Sequence, residues 1–409
     1  MWEQIRANQR KSVVLVVLMA ALFFGLGYLL GELFIPGGGL IGLFWAFVIW
    51  VILALASFYS GGSIFLAASG ARKIAKKDHP VLFNVVEEMT IASGLGRMPD
   101  IYIIDEAAPN AFATGRSPEK ASVAVTSGLL ERLNRDELQG VIAHELGHIK
   151  NRDILYMMMV GIMVGTIVLV ADLGMRILFY SSMGRRRTSS RDGGSSQIVI
   201  LLIAVVAIIL ASVLAQLIYF AISRKREYLA DASGAQFTRY PEGLASALEK
   251  ISRSTGKPKG VSRVIAPSYL VNPLQARSHK RSGLFSTHPP TEKRIKILRS
   301  MAGSAGLLAY DGAYRKVTGR PVGVIPAGSL GAAAEVSEKK PAAKDERTRH
   351  DRVRETTDAL WKLNQYIFLA CACGTTLKVP PAYSGKHVKC PHCGRTHVVA
   401  GQDPPNAAT

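Results

Sequence analysis

Val141-Ile142-Ala143-His144-Glu145-Leu146-Gly147-His148 decides how this 409-residue chain is read. Just upstream, Asn134-Arg135-Asp136-Glu137 has the form of a capping box, with Asn134 as N-cap and Glu137 three residues on. A helix is therefore expected to carry the eight residues. On a helix, His144 and His148 share one face a single turn apart, so both imidazoles can reach one zinc ion. Glu145, beside the first of them, is placed to take a proton from water and pass it to a leaving amine. The competing reading is a chance match on an amphipathic helix, and the capping box directly before the motif weighs against it.

A catalytic zinc keeps three protein ligands and one open position. The metzincin continuation needs Gly at 151 and His at 154, where this chain has Asn151 and Ile154, so that class is excluded. The third ligand must come from elsewhere, and Ser223-Arg224-Lys225-Arg226-Glu227-Tyr228-Leu229-Ala230-Asp231 offers Glu227. This segment follows one apolar stretch as directly as another apolar stretch follows the His144 helix. A hairpin between the two brings both to the same membrane face. Asp231, one turn beyond Glu227, is placed to accept a hydrogen bond from the non-ligating nitrogen of His144. The competing reading of Glu227 is a solvated charge in a basic juxtamembrane run. Earlier in the chain, Asp100–Ile104 and Ala121–Val125 are β-branched runs bounded by turn residues and read as short strands.

Apolar residues make up 48% of the chain, high for a wholly soluble enzyme. Four stretches account for much of this. Ser12–Leu33 is broken only by Glu32, and Leu40–Leu66 has no charge; each exceeds the roughly 20 residues needed to cross a bilayer. Ile35-Pro36-Gly37-Gly38-Gly39 turns one into the other, and the length of the first argues against a cleaved signal peptide. A third stretch begins at Ile154, and Gln197–Ile222 is the fourth, with a flexible basic loop at 184–194 between them. Near the stretch ends, twelve Lys and Arg lie on the side of the N-terminus and five on the other. That bias puts the N-terminus and the soluble parts in the cytoplasm. The formal charge of +20 fits basic flanks facing anionic headgroups. The basic residues are too dispersed to favour nucleic acid as a partner.

All four cysteines lie near the C-terminus, which argues for one local metal module in a reducing compartment. Cys371-Ala372-Cys373-Gly374 and Cys390-Pro391-His392-Cys393-Gly394 pair as in a zinc ribbon, where four thiolates close a structural site. Two disulfides are the alternative and imply the opposite topology. Residues from about 320 to 350 are rich in Ala, Pro, Lys and Glu with little apolar periodicity, and 320–365 reads as a linker to this ribbon at 366–401.

Taken together, these residues resemble the HtpX-like heat-shock metalloproteases and, more distantly, the prenyl-protein (CAAX) endopeptidases. The resemblance covers roughly residues 10 to 300. Beyond the zinc motif it rests on Asn110-Ala111-Phe112-Ala113-Thr114-Gly115, on Glu227 with Asp231, and on Phe285-Ser286-Thr287-His288-Pro289-Pro290-Thr291. It implies an α+β, mainly helical, zincin-like protease domain, with halves at 71–153 and 223–319 separated by a hydrophobic hairpin at 154–222. A transmembrane hairpin at 1–70 precedes it. The implied activity is zinc-dependent endoproteolysis of membrane or misfolded proteins by an integral protein of the bacterial inner or cell membrane, with the active site facing the cytoplasm. Asn110, Ala111, Phe112 and Ala113 would pair with a substrate backbone by strand addition. His288 would donate to the oxyanion of the intermediate, with a helix-entry role as its competing reading. Arg294 lies in the same region without a spacing that fixes its role. A prenyl-protein endopeptidase and a non-catalytic zinc-binding membrane adaptor are the alternative functions. Oligomeric state has no signal in the sequence.

Overall fold

The computed structural model describes residues 2–155, 224–254, 289–325 except 302, 327–330, 336–339 and 347–399, with isolated helical positions between 156 and 223. Two long helices open the chain, α1 (Trp2–Phe34) and α2 (Gly39–Ala68). Both are long and apolar enough to cross a membrane. Their outer faces expose Val14, Val17, Phe44, Trp45, Ile52 and Leu55, as lipid-facing helices do. The inner faces meet through small residues: a Cβ placed on Gly31 would lie 2.8 Å from the Gly42 Cα, so the backbones approach as only glycine permits. Glu32, the one charge in the first stretch, closes the turn by accepting the N–H groups of Gly37 and Gly39, each at 3.0 Å. Of the third stretch, the helical position Ile167 is buried against Met19, Phe23 and Ala46 of this hairpin. The fourth stretch and the basic loop lie almost wholly outside the described residues.

A four-stranded sheet follows, in the order β1 (Arg72–Lys73), β2 (Asp100–Ile104), β4 (Ala121–Thr126), β3 (Ala111–Gly115). β2 and β4 run parallel, while β3 pairs antiparallel with β4 and ends the sheet. The β-branched residues that mark these strands in the sequence fill the core: Val123 and Val125 are fully buried. At about 1.5 Å per residue α2 exceeds the roughly 30 Å of a hydrocarbon core. Its last turn therefore reaches the sheet, and Leu66 packs with Ile104, Phe112 and Ala124. Arg116, just past β3, sits over the rings of Phe58 and Tyr59, 5.8 Å from each centroid.

Helices α3 (Pro80–Ser93), α4 (Ser127–Arg132) and α5 (Arg135–Lys150) complete the first half. The capping box at Asn134 forms with both of its hydrogen bonds at 2.9 Å. Residues on every face of α5 are buried, including Leu138, Val141, Ile142, Leu146 and Ile149. Each such side chain contributes about 1.5–3 kcal/mol. The second half adds α6 (224–238), α7 (Pro241–Ser252), α8 (Thr291–Arg299) and α9 (Leu307–Thr318). Glu137 of the capping box also accepts from Ser246 at 2.6 Å and Lys250 at 2.7 Å, which ties α7 to the start of α5.

The end of the expected linker at 320–365 holds a fifteen-residue helix, α10 (Arg349–Leu363), capped by Thr348 and Asp351. It packs on the protease core through Ala359 and Thr356, both fully buried, with Leu360 and Leu363 at the margin. So narrow a buried stripe on an otherwise charged helix leaves little apolar periodicity to read. Beside α10 lies His79, the N-cap of α3, whose Nδ1 accepts the Leu82 N–H at 3.2 Å. Burial pushes its pKa down to about 4, with Arg347 adding to the effect and Glu355 standing 3.8 Å away. An unfolded histidine takes up its proton near pH 6.5, so this buried neutral ring stabilises the fold fully above that pH. The contribution erodes as pH falls towards about 4. Between about pH 7 and pH 5, unfolding in detergent is expected to show the wild type losing about 2 kcal/mol that His79→Asn, which keeps a capping acceptor, does not lose. Equal losses would refute the assignment.

Beyond α10 come two hairpins, β5 (Ile367–Ala370) with β6 (Thr376–Val379) and β7 (His387–Lys389) with β8 (Thr396–Val398).

Candidate active site

α5 and α6 cross where both have small residues. A Cβ on Gly147 would lie 3.1 Å from that of Ser233, and Gly234 lies against the backbone of His144. This close approach turns Glu227 and Asp231, four apart on one face of α6, towards the two histidines of α5. The Nε2 of His144 is 3.7 Å from one Glu227 carboxylate oxygen, and the Nε2 of His148 is 3.6 Å from the other. The imidazoles stand edge to face with centroids 4.9 Å apart. All three ligand atoms lie within 4.8 Å of one another, and all three residues are buried.

The remaining ring nitrogens are held from behind. His144 Nδ1 donates to Asp231 at 3.0 Å, and His148 Nδ1 lies 3.4 Å from Asp153. Each contact fixes the tautomer that leaves Nε2 free for a metal. Arg294, fully buried on α8, grips Asp231 with Nε at 2.8 Å and Nη2 at 2.6 Å, while its Nη1 is 3.4 Å from Glu227. Sequence reasoning gave Arg294 no role and passed over Asp153. Asp153 follows Arg152, whose φ of 56° folds the chain back after α5. Its position five residues past His148 was the one available signal.

Glu145 is 4% exposed. Burial pushes its carboxyl pKa up, against the pull of His144 and His148, and the backbone of Ala113 also hydrogen-bonds it. β3 therefore lies directly beside this carboxylate. Asn110, just before β3, is buried, with its N–H donated to Thr126 Oγ1 at 2.8 Å and its side-chain oxygen accepting the Ala111 N–H at 2.9 Å. Phe112 points into the contact with α2. His288 lies outside the described residues, and Pro289 and Pro290 after it lead into α8.

The donor set fits zinc: two imidazole nitrogens and a carboxylate oxygen converge, a combination typical of a catalytic site. The charge balance points the same way. Four carboxylates of the site are buried (Glu145, Asp153, Glu227 and Asp231), against two buried guanidinium groups, Arg226 and Arg294. Burial disfavours a proton on His148, yet Asp153 and Glu227 push its pKa up to about 10.

A family model described as Peptidase family M48 matches residues 76–302, more than half of the chain. The chain belongs to this family. Its M48 relatives named Protease HtpX homolog include one from Dictyoglomus turgidum (strain DSM 6724 / Z-1310), 45% identical over 311 residues, which span 76% of this chain and 98% of that protein. Another, from Listeria monocytogenes serotype 4b (strain CLIP80459), is 44% identical over 306 residues, spanning 74% of this chain and all of the relative. About a quarter of this chain therefore lies outside the match. Among solved structures, S. mikatae Ste24p aligns over 73% of this chain and 67% of its own at 19% identity, with a TM-score of 0.38. As an M48 peptidase of the HtpX type with two apolar helices of membrane-crossing length, the protein is a membrane metalloprotease, and the family's metal is zinc.

The cysteines form a second cluster. Cys371 Sγ is 3.4 Å from Cys393 Sγ, and Cys373 Sγ is 3.7 Å from Cys390 Sγ. No pair is bonded, and all four ligand atoms lie within 4.8 Å. The two knuckles at Gly374 and Gly394, both with positive φ, bring them together.

Proposed function

We propose that this M48 peptidase cuts membrane or misfolded proteins at the cytoplasmic face of a bacterial inner or cell membrane, in protein quality control. The observation that carries this reading is the placement of Glu145 between the His144–His148–Glu227 triad and strand β3. In this reading His144, His148 and Glu227 hold one zinc and the four cysteines hold a second, structural one. Zinc bound by the triad supplies Lewis-acid activation of water and of the scissile carbonyl. Glu145 accepts a proton from the attacking water and returns it to the departing amine. The backbone from Asn110 to Ala113 aligns an extended substrate segment by strand addition, which reads main chain and tolerates varied side chains. Asp231 and Asp153 hold the two imidazoles in place. His288 is assigned to the oxyanion, on the resemblance alone.

The cytoplasmic orientation is supported by the twelve-to-five bias of basic residues. The proposed organisation is a membrane hairpin at 1–70, protease halves at 71–153 and 223–319 around a second apolar hairpin at 154–222, a connecting segment at 320–365 that includes α10, and the ribbon at 366–401. The detergent-purified chain is expected to cleave an unfolded model protein, to stop when a chelator strips its metal and to resume on adding zinc. Cleavage that persists after the zinc has been removed would sink the assignment.

A further inference from the structure

The C-terminal module contains no carboxylate. From Ala359 to Gln402 there is neither Asp nor Glu, while Lys378, Lys386, Lys389 and Arg395 lie within the two hairpins together with His387, His392 and His397. Four thiolates sharing one divalent zinc leave two negative charges, so four Lys and Arg keep the module net positive. Lys378 is spent internally, paired with Asp358 of α10 and seated 4.5 Å from the Trp361 ring centroid. The other three cations are exposed.

All three lie in or beside the β7–β8 hairpin, Lys386 just before β7, Lys389 at its end and Arg395 just before β8. Strand alternation puts Val388 and His397 on the inner face of the β7–β8 hairpin, where Val388 packs on the cysteine cluster. The outer face presents His387 and Lys389, paired across the ladder with Val398 and Thr396. Val398 is 63% exposed and Tyr383 48% exposed, and the Lys386 ammonium stands 5.5 Å from the Tyr383 ring centroid. Cations mixed with an aromatic ring and an aliphatic side chain suit an anionic bilayer surface, where charge meets headgroups and apolar groups settle between them.

The module is also tethered to the membrane hairpin. α10 docks on the protease core, and just after α10 Asn364 accepts a hydrogen bond from Arg72, four residues beyond the end of the membrane helix α2. The contacts of Lys378 fix the first hairpin to α10. Three exposed cations attract an anionic surface only weakly. They are too few for free nucleic acid, whose binding draws on many phosphate contacts. A weak surface suffices when tethering holds its target at an effective concentration of about millimolar or more.

We propose that the exposed surface around the β7–β8 hairpin, with Tyr383, Lys386, His387, Lys389, Arg395 and Val398, binds the anionic lipid headgroups of the membrane that α1 and α2 span. The full-length protein is placed in nanodiscs of phosphatidylcholine alone or of phosphatidylcholine with one quarter phosphatidylglycerol, and hydrogen exchange of residues 383–398 is followed. Exchange is expected to slow by about fivefold or more in the anionic discs, to recover in about 0.5 M salt, and to lose its lipid dependence in the triple variant K386E/K389E/R395E. Zinc content and the exchange of β5 and β6 report whether that variant keeps its fold, and the salt comparison stands on the wild type alone. Equal exchange in the two lipids overturns the proposal. So does protection that appears in neutral discs only after polyuridylate is added, which would make the face a nucleic-acid surface. Either result leaves the protease assignment untouched.

Discussion

Glu145→Gln is expected to hold zinc as well as the wild type and to lose cleavage by about a thousandfold. The substitution keeps the shape of a side chain that is 4% exposed and hydrogen-bonded by the Ala113 backbone. It removes the capacity to take a proton. Neither His144 nor His148 can substitute, because each uses Nδ1 on a carboxylate and Nε2 towards Glu227. Single-turnover cleavage of an unfolded protein, with the zinc content of both proteins, is the measurement. A glutamine variant that holds zinc and still cuts at a tenth of the wild-type rate would remove Glu145 from the chemistry.

Arg294→Leu is expected to act on the metal site without touching the metal. Arg294 is fully buried and makes two hydrogen bonds to Asp231, so its loss strands a buried carboxylate behind His144 and a second one at Glu227. Breaking such a buried pair from one side costs about 3–5 kcal/mol. Loosening the support behind a ligating histidine lowers metal affinity by about 10–100-fold. Arg294→Lys is expected to recover only part of both, since an ammonium cannot reproduce the two-pronged contact. Thermal unfolding and zinc titration of the three proteins measure these effects. An Arg294→Leu protein with wild-type stability and zinc affinity would mean that the buried guanidinium does not support the site.

Legibility in the sequence followed the range of the interactions. The α5 helix was readable because its cap, its buried face and its histidine spacing are all local. The same holds for β2 and β4, whose β-branched runs ended at turn residues. Glu227 and Asp231 are 79 and 87 residues beyond His148 and His144. They could be placed because a hairpin expected between the two apolar stretches would return the chain to its starting face, and because their own four-residue spacing is helical. Arg294 had no such guide, since it reaches Asp231 only through the packing of α8. Asp153 depended on one left-handed residue, Arg152, which no pattern announces. α10 was hidden by its own surface: charged residues cover its exposed faces, and the buried stripe consists of small or polar residues such as Ala359 and Thr356. Glu32 read as a flaw in an apolar run until its carboxylate was seen to close the turn between α1 and α2.

The central claim is that Glu227 completes a three-ligand zinc site separate from the cysteine cluster. Counting zinc per chain in the purified wild type and in Glu227→Ala tests it most directly. The account predicts about two ions in the wild type and about one in the variant, the remaining ion being lost only when the cysteines are replaced. A Glu227→Ala protein that still carries two tightly held ions would contradict it, because the histidines would then be finding their third ligand elsewhere.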